Sequence, residues 1–360
     1  VAIAILNNDH NLYSLGFAAK ETLQSAALYK HNTTDEANKM LDVLNWLSDA
    51  LGTKEGMTHY RVCNGAISAT NGEITASHPW SFGGGDFLVP GIEFEKIIKR
   101  MSGEPKLSLT KDGALIVKSG RFSGTVKTLS PTEWNCPDVK DAKFKPLPDN
   151  FLPLLAALKP FVSNVKTQPW ATCVAIDAGW MLATNNIVIA GAACKGLEKI
   201  NALLPLWAID FVLDRKEGLK DWSINDNYVA FRWTSGAWMR SQLIVGKFSE
   251  KAAMMVRESA KAKPTQVVTE EFLEAFTRIA EMADDTVSIY RNRIVAGFGK
   301  AVVEDGIECE VPAGSDCSVF GAQFLLPAIR EADCWSPGSW PKPSVFRGKL
   351  ISGYCVGRRP

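Results

Sequence analysis

The residue types that carry most enzyme chemistry are present in this chain, but their spacing does not assemble them. Eight cysteines, Cys63, Cys136, Cys173, Cys194, Cys309, Cys317, Cys334 and Cys355, are scattered, with no C-x-x-C pair and no histidine at ligand spacing. Zinc and redox sites need such spacing, so the cysteines read as buried reduced thiols. His10, His31, His59 and His78 all lie in or before the first of three sequence repeats, which makes them poor members of one shared centre. Phe82-Gly83-Gly84-Gly85-Asp86 and the Gly297–Val302 run lack the G-x-x-x-x-G-K-[ST] order of a phosphate loop. Asp284-Asp285 reads as a solvated helix end rather than a catalytic pair. With no nucleophile beside a base, no metal cluster and no recurring paired carboxylates, the chain is expected to be non-catalytic and to need no cofactor. The enzyme-class rival is a nucleic-acid or sugar enzyme with an unrecognised site, using some of the eleven tryptophans as stacking platforms.

The elements that would position such residues recur. A helix-like run, FLPLLAALKPFVSNV, leads into alternating segments, a second helix near Pro205 and further strands ending at Phe248. A similar plan stands before and after it at a period of roughly 115 to 120 residues, a domain-sized repeat. FLVPGIEFEKII and ALLPLWAIDFVL share a proline followed by apolar residues on one helical face: Phe94, Ile97 and Ile98 in one, Ile209, Val212 and Leu213 in the other. FGAQFLLPAIREAD keeps that face with Leu325, Ala328 and Ile329, and has Gly321 in the proline's place. Proline is favoured in a first helical turn, so the second helices are expected to start at it.

Thr33-Thr34-Asp35-Glu36 predicts a capping box for the first repeat's first helix. Thr269 predicts an N-cap in the third repeat, with Glu270 and Glu271 complementing the helix dipole. Asn64-Gly65, Asn71-Gly72, Asp112-Gly113 and Asp305-Gly306 predict turns between strands. Residues 251–268 carry the crossover into the third repeat. Composition is that of a soluble globular protein, no apolar run is long enough to span a bilayer, and the start lacks the basic region of a signal peptide. A cytoplasmic location, with no membrane partner, is the default expectation. A net charge of +1 leaves any nucleic-acid contact to local placement of charge.

An ordered set of segments resembles the beta subunit of bacterial DNA polymerase III, the sliding clamp. SGRFSGTVKTLSPTEWNCP is similar to the end of that family's first domain, LATNNIVIA to its Ala-Thr-Asp-Gly-His-Arg-Leu-Ala segment, and LIVGKFSE to its strand ending Gly-Arg-Phe-Pro-Asp. ECEVPAGSDCSVFGAQFLLPAIREA and GYCVGRRP look like its third-domain helix entry and last strand. The resemblance implies an α+β fold of three clamp domains, each two helices on antiparallel sheets, in a head-to-tail dimer with a six-domain ring. Its boundaries would be an extension and first strand at 1–32 and domains at 33–140, 141–262 and 263–360. The degree of divergence and the added N-terminus imply a phage or mobile-element member.

The implied function is a processivity factor that encircles duplex DNA, irrespective of sequence, and tethers a DNA polymerase after a clamp loader has placed it. A clamp-like platform that recruits RNA polymerase is the transcription-class rival. DNA contacts would fall on basic residues of the repeat helices: Lys96, Lys99, Arg100, Lys159, Arg215, Lys216, Arg278 and Arg330. Asp35, Glu36, Asp42 and Asp49 give the first helix little positive charge. A partner-peptide pocket carries over to Thr184, Ile187, Val188, Ile189, Ser249, Met254, Val356, Gly357 and Arg358. Departures from the family at Asn185-Asn186-Ile187-Val188, at Ser249 and at the Gly-Arg-Arg-Pro end bear on peptide preference. Dimer closure would use Gly124, Val126 and Thr128 on an edge strand, with Met282 opposite in the third domain and Glu281 beside it departing from the family pattern.

Overall fold

A computed structural model describes residues 35–54, 56–83, 85–134, 137–165, 167–309, 316–338 and 340–359. The 1–32 extension, the Thr33-Thr34 half of the capping box, His10, His31 and Cys136 lie outside the described residues. The chain divides into two compact units. One ends at Asp138 and takes in Ser235–Trp238, and the other holds Val139–Thr234 and Met239–Pro360.

In the first unit, helix α1 (Asp35–Leu47) buries Ala37, Met40, Val43, Leu44 and Leu47 along one stripe. It packs beside α2 (Gly91–Ile98), which buries Phe94 and Ile98. Four antiparallel strands run in the order Phe87–Pro90, His59–Cys63, Ala66–Thr70, Ile74–Pro79. Asn64 and Gly65 both take positive φ (51° and 72°), the geometry that a two-residue hairpin of this twist requires. A second sheet holds Lys106–Leu109, Ala114–Ser119 and Phe122–Lys127, with the last at its edge. The buried Tyr60 donates to Glu95 Oε1 at 2.6 Å, tying the strand layer to α2.

The second unit contains the same series twice more: α3 (Phe151–Leu158) and α4 (Leu206–Asp214), the crossover helix α5 (Glu250–Ser259), then α6 (Glu270–Met282) and α7 (Ala322–Glu331). First helices start at residues 35, 151 and 270 and second helices at 91, 206 and 322, so the repeat read from the sequence is the repeat of the fold. Pro90 and Pro205 stand one residue before their helices, as caps at the end of a strand, and Gly321 takes the same place before α7. The expectation of proline inside the first turn is corrected by one position. Thr269 caps α6 through its hydroxyl, which accepts from the Phe272 amide at 3.1 Å. Each repeat packs aromatics under its helices: Phe94 near Trp80, Phe151 against Trp222, and Phe272 against Phe276 and Trp335.

Two further expectations change. Asp305-Gly306 is no turn. It ends the Ala301–Gly306 strand, and the chain reverses at Gly299, whose φ is +57°. The apolar LIVGKF segment is no strand either, since the preceding strand stops at Gln242 and Val245 is left almost fully exposed. Its apolar character is used at Phe248, which turns inward beside α5.

The organising sheet of the second unit has eight strands in the order Asn201–Pro205, Cys173–Asp177, Trp180–Thr184, Val188–Ala193, Ser352–Cys355, Ser344–Arg347, Cys334–Ser336, Gln266–Val267. The first four belong to the second repeat and the rest to the third. They join where Val188, Ile189, Ala190 and Gly191 pair antiparallel with Cys355, Tyr354, Gly353 and Ser352. Cys173–Asp177, Trp180–Thr184 and Val188–Ala193 are buried almost continuously rather than alternately, as strands covered on both faces must be. α3 and α7 contact the strands at this seam, and α5 crosses it as well. Under α5, Ala253 and Val256 pack on Cys173, Ala175, Leu182, Ile189 and Leu203. Each larger aliphatic side chain withdrawn from water there contributes roughly 1.5 to 3 kcal/mol.

The seam leaves no room for a side chain at Gly353, where an added Cβ would lie 2.0 Å from the Ile189 carbonyl oxygen. Gly353→Ala is expected to lower stability by about 1 to 3 kcal/mol. Urea unfolding of this variant beside the parent checks it, and an unchanged midpoint would show that the joint yields freely.

Candidate functional site

The eight helix-associated cations are exposed or half-buried, all but Arg278 at or just beyond helix ends, and several already have carboxylate partners. Lys99 Nζ lies 3.3 Å from Glu95 one turn back on α2, and that glutamate also accepts from Tyr60. Lys159 reaches Asp210 of α4 at 2.7 Å, and Arg330 of α7 reaches Glu281 of α6 at 2.7 Å, so in both later repeats an ion pair spans the two helices. Arg278 places Nε and Nη2 on Asp305 Oδ2 at 3.1 and 2.7 Å. Arg215 folds back on its own helix, 4.0 Å from the centre of the Phe211 ring, with its carbonyl accepting from the Trp233 indole. Lys96, Arg100 and Lys216 are exposed. Exposed pairs of this kind hold each other by about 0 to 1 kcal/mol. Phosphates can therefore compete for them.

The nine pocket residues are not brought together on one surface. Thr184 and Ile189 are cross-strand partners and share the face under α5, where Ile189 joins the apolar cluster. Val188, the adjacent residue, is buried on the opposite face, as the two-residue period of a strand requires. Thr184 is spent internally, its hydroxyl donating to the Val188 carbonyl at 2.8 Å and accepting from the Asn186 amide at 3.0 Å. Ser249 caps α5, accepting from the Ala252 amide at 3.3 Å, and Met254 stands exposed on that helix. The C-terminal segment crosses the seam. The Val356 amide donates to the Ile187 carbonyl, the Arg358 amide donates to the Val319 carbonyl, and the Arg358 guanidinium grips both Asp285 oxygens. Asp285 is thus structural, and Asp284 holds the Gly299 amide at 2.7 Å.

Sequence reasoning missed the surroundings of α5. Trp170, Trp180, Ile244, Phe248, Ala252 and Tyr354 border the cluster beneath it, with Trp170 and Phe248 edge to face at 5.7 Å. Phe248 also walls a cavity of about 560 Å3 with Leu203, Lys247 and the Arg257–Asp177 pair, closed at 2.6 Å. The available signal was the amphipathic spacing of Ala253 and Val256 behind a Ser249 cap, in a segment assigned only to a crossover.

Of the dimer candidates, Gly124 and Val126 lie within the Phe122–Lys127 edge strand and Thr128 stands directly after it. Gly124 sits under α2, where an added Cβ would meet Ile97 at 2.8 Å. At the third repeat's edge, Met282, Phe298 and Val302 expose 41, 50 and 72% of their surface. These are large apolar groups facing water beside a strand edge.

No group of three or more His, Cys, Asp or Glu side chains suited to a metal occurs among the described residues, and no helix there is long and apolar enough to cross a membrane. Burial pushes the thiols of Cys173, Cys309 and Cys355 up to about 12. Trp80, Trp222, Trp233 and Trp335 are buried in the cores and offer no stacking platform.

No family model and no curated protein matches the chain. Solved structures do. The C. crescentus beta sliding clamp aligns with a TM-score of 0.77 at 14% identity, over 90% of this chain and 98% of that one. The Bacillus subtilis DNA polymerase sliding clamp gives 0.74 at 16% identity with the same coverages, and the DNA polymerase III subunit beta of Pseudomonas aeruginosa 0.74 at 13%, again with the same coverages. The chain thus has the sliding-clamp fold, as the ordered resemblance implied.

This geometry has three testable outcomes. Cys173, Cys309 and Cys355 should resist iodoacetamide at pH 8 in the folded protein and react in urea, as read by peptide mass mapping. The folded state keeps these protons above the ordinary thiol value near 9, so it binds more protons than the unfolded chain between about 9 and 12, and stability falls as pH rises through that window. A double-mutant cycle on Glu281 and Arg330 should return a coupling of about 1 kcal/mol or less. A much larger value would mark the pair as a structural lock unavailable to phosphate.

Proposed function

We propose that two copies of this chain join head to tail in a closed ring around duplex DNA and act as a DNA polymerase processivity factor. The observation that carries the reading is the seam. There the third strand after the second repeat's first helix, Val188–Ala193, pairs with the third strand after the third repeat's second helix, Ser352–Cys355. The corresponding strands are Ala301–Gly306 in the third repeat and Phe122–Lys127 in the first, each an edge of its own sheet. Open edges are ready templates for pairing with another chain.

Transferring the seam's register, with the strands aligned on their hairpin turns, sets Ala301, Val302, Val303 and Glu304 opposite Val126, Thr125, Gly124 and Ser123 of a second copy. Gly124 then falls where Gly353 falls in the seam, and both are glycines that a neighbouring side chain or carbonyl keeps bare. The joint would cover Met282, Phe298 and Val302, and a stable contact needs about 1,200 Å2 or more. Two such joints close a ring.

In that ring the helix pairs would face the DNA. Lys96, Lys99, Arg100, Lys159, Lys216, Arg278 and Arg330 would supply weak contacts to phosphates, with Arg215 contributing from its place on Phe211. Non-specific binding on the order of 10⁻⁴ to 10⁻⁶ M permits sliding, and closure prevents escape. Polymerase and loader peptides are assigned to the α5 side of the seam, around Ile187, Ile189, Ser249, Met254, Val356 and Gly357, where Phe248 and Trp170 offer apolar walls. Buried anchor side chains supply most of the affinity in such sites. No catalytic step or cofactor enters this function.

Val302→Cys combined with Thr125→Cys should give, on oxidation, a covalent species of two chains absent from the parent. That species should stay on nicked circular DNA through a high-salt wash and leave once the DNA is cut to a linear form. A monomer by light scattering at tens of micromolar, or equal retention on circular and linear DNA, would remove the ring.

A further inference from the structure

Beyond the ring and its peptide surface, a second groove lies at the far end of α5. Trp180 forms one wall, Gly191, Ala192, Ala193 and Ala260 the floor, and Arg347 to Ser352 the other wall, around about 220 Å3. The floor at Gly191 stays low because an added Cβ would lie 2.5 Å from the Met181 carbonyl oxygen. Trp180 pairs across the strands with Ala193, and Arg347 with Ser352, which itself pairs with Gly191, so the indole and guanidinium stand on the same sheet face that carries α5.

Charge separates this groove from two other cavities of the second unit. The cavity at Phe248 contains Asp177 and Glu250, and the one beside Thr269 contains Glu271 and Glu308. No carboxylate lines the Trp180 groove. Arg347 and Lys349 line it without a carboxylate partner among the described residues, and Lys261 and Lys263 extend beyond Ala260 in exposed positions. The carbonyls of Val256, Glu258 and Ser259 accept from the amides of Ala260, Lys261 and Ala262, and the partial negative charge of about half a unit at a helix end is smaller than the two full charges of Arg347 and Lys349.

We propose that the Trp180 groove binds an acidic segment of a partner protein, with one apolar side chain laid on the indole over the small-residue floor and flanking carboxylates on Arg347 and Lys349. Arginine's planar fork suits a carboxylate, and lysine adds a point charge beside it. The groove opens on the α5 face of the sheet, so a duplex contacting the cations of α3, α4, α6 and α7 does not reach it. A protein segment therefore fits better than the DNA of the proposed ring, and the proposal stands whether or not that ring forms.

The test is fluorescence anisotropy of a fluorescein-labelled octaglutamate peptide carrying one central leucine, titrated with the full chain at 50 mM salt. Binding should weaken at least ten-fold in Arg347→Glu with Lys349→Glu and several-fold in Trp180→Ala. Lys220→Glu, an exposed charge on another sheet, should leave it unchanged, and Arg347→Lys should retain most of it. A decathymidylate of similar charge should compete poorly. An equal loss in Lys220→Glu, indifference to Trp180→Ala, or stronger binding of the decathymidylate with the same dependence on Arg347 would each overturn the assignment.

Discussion

The backbone of a strand edge must be paired, covered or left open, and that constraint organises this chain. At the seam, four residues of the second repeat pair antiparallel with four of the third, which closes the edge that each strand would otherwise leave open. Gly353 removes a side chain that would meet the Ile189 carbonyl across the seam, and Gly191 one that would meet the Met181 carbonyl of the next strand and Val256 of α5. Helices cover the sheet and leave its strands dry on both faces. The C-terminal segment continues the pairing outward through Val356 and Arg358. Among the described residues, two strands of the same kind lie at the edges of their sheets, which is why the fold argues for assembly more strongly than any single side chain does.

Electrostatics is a secondary feature. Four of the eight cations, Lys99, Lys159, Arg278 and Arg330, are held in exposed pairs of small net strength, and those of Lys159 and Arg330 span the two helices of their repeats. Such pairs orient side chains at little energetic cost and can be exchanged for other anions. A near-neutral chain can thus present local positive charge without general affinity for polyanions.

Much of this was legible in the sequence because it rests on local rules. The apolar stripes of α2, α4 and α7, the Asn64-Gly65 hairpin and the Thr269 cap each come from spacing within a turn or two. Misreadings came where tertiary context decides. Asp305-Gly306 has turn chemistry but lies in a strand, because the reversal had already been made at Gly299. Val188 and Ile189 are adjacent in sequence yet belong to opposite faces, so carrying both into one pocket could not survive the strand's period. LIVGKF looks like a strand since it is apolar, but its inward residue serves a helix that residue types alone did not announce.

α5 joins the two repeats covalently while lying across their seam, with its Ser259 hydroxyl donating a hydrogen bond to the Ser352 hydroxyl at 3.1 Å. A connection of this kind makes the pairing of the two strands intramolecular, at an effective concentration of the order of millimolar or above. The seam's occupancy is then independent of how much protein is present. An edge-to-edge joint between separate copies has no such tether, so its closure is governed by mass action and falls on dilution. In any assembly of these chains, the joints without a crossing helix are the ones that open.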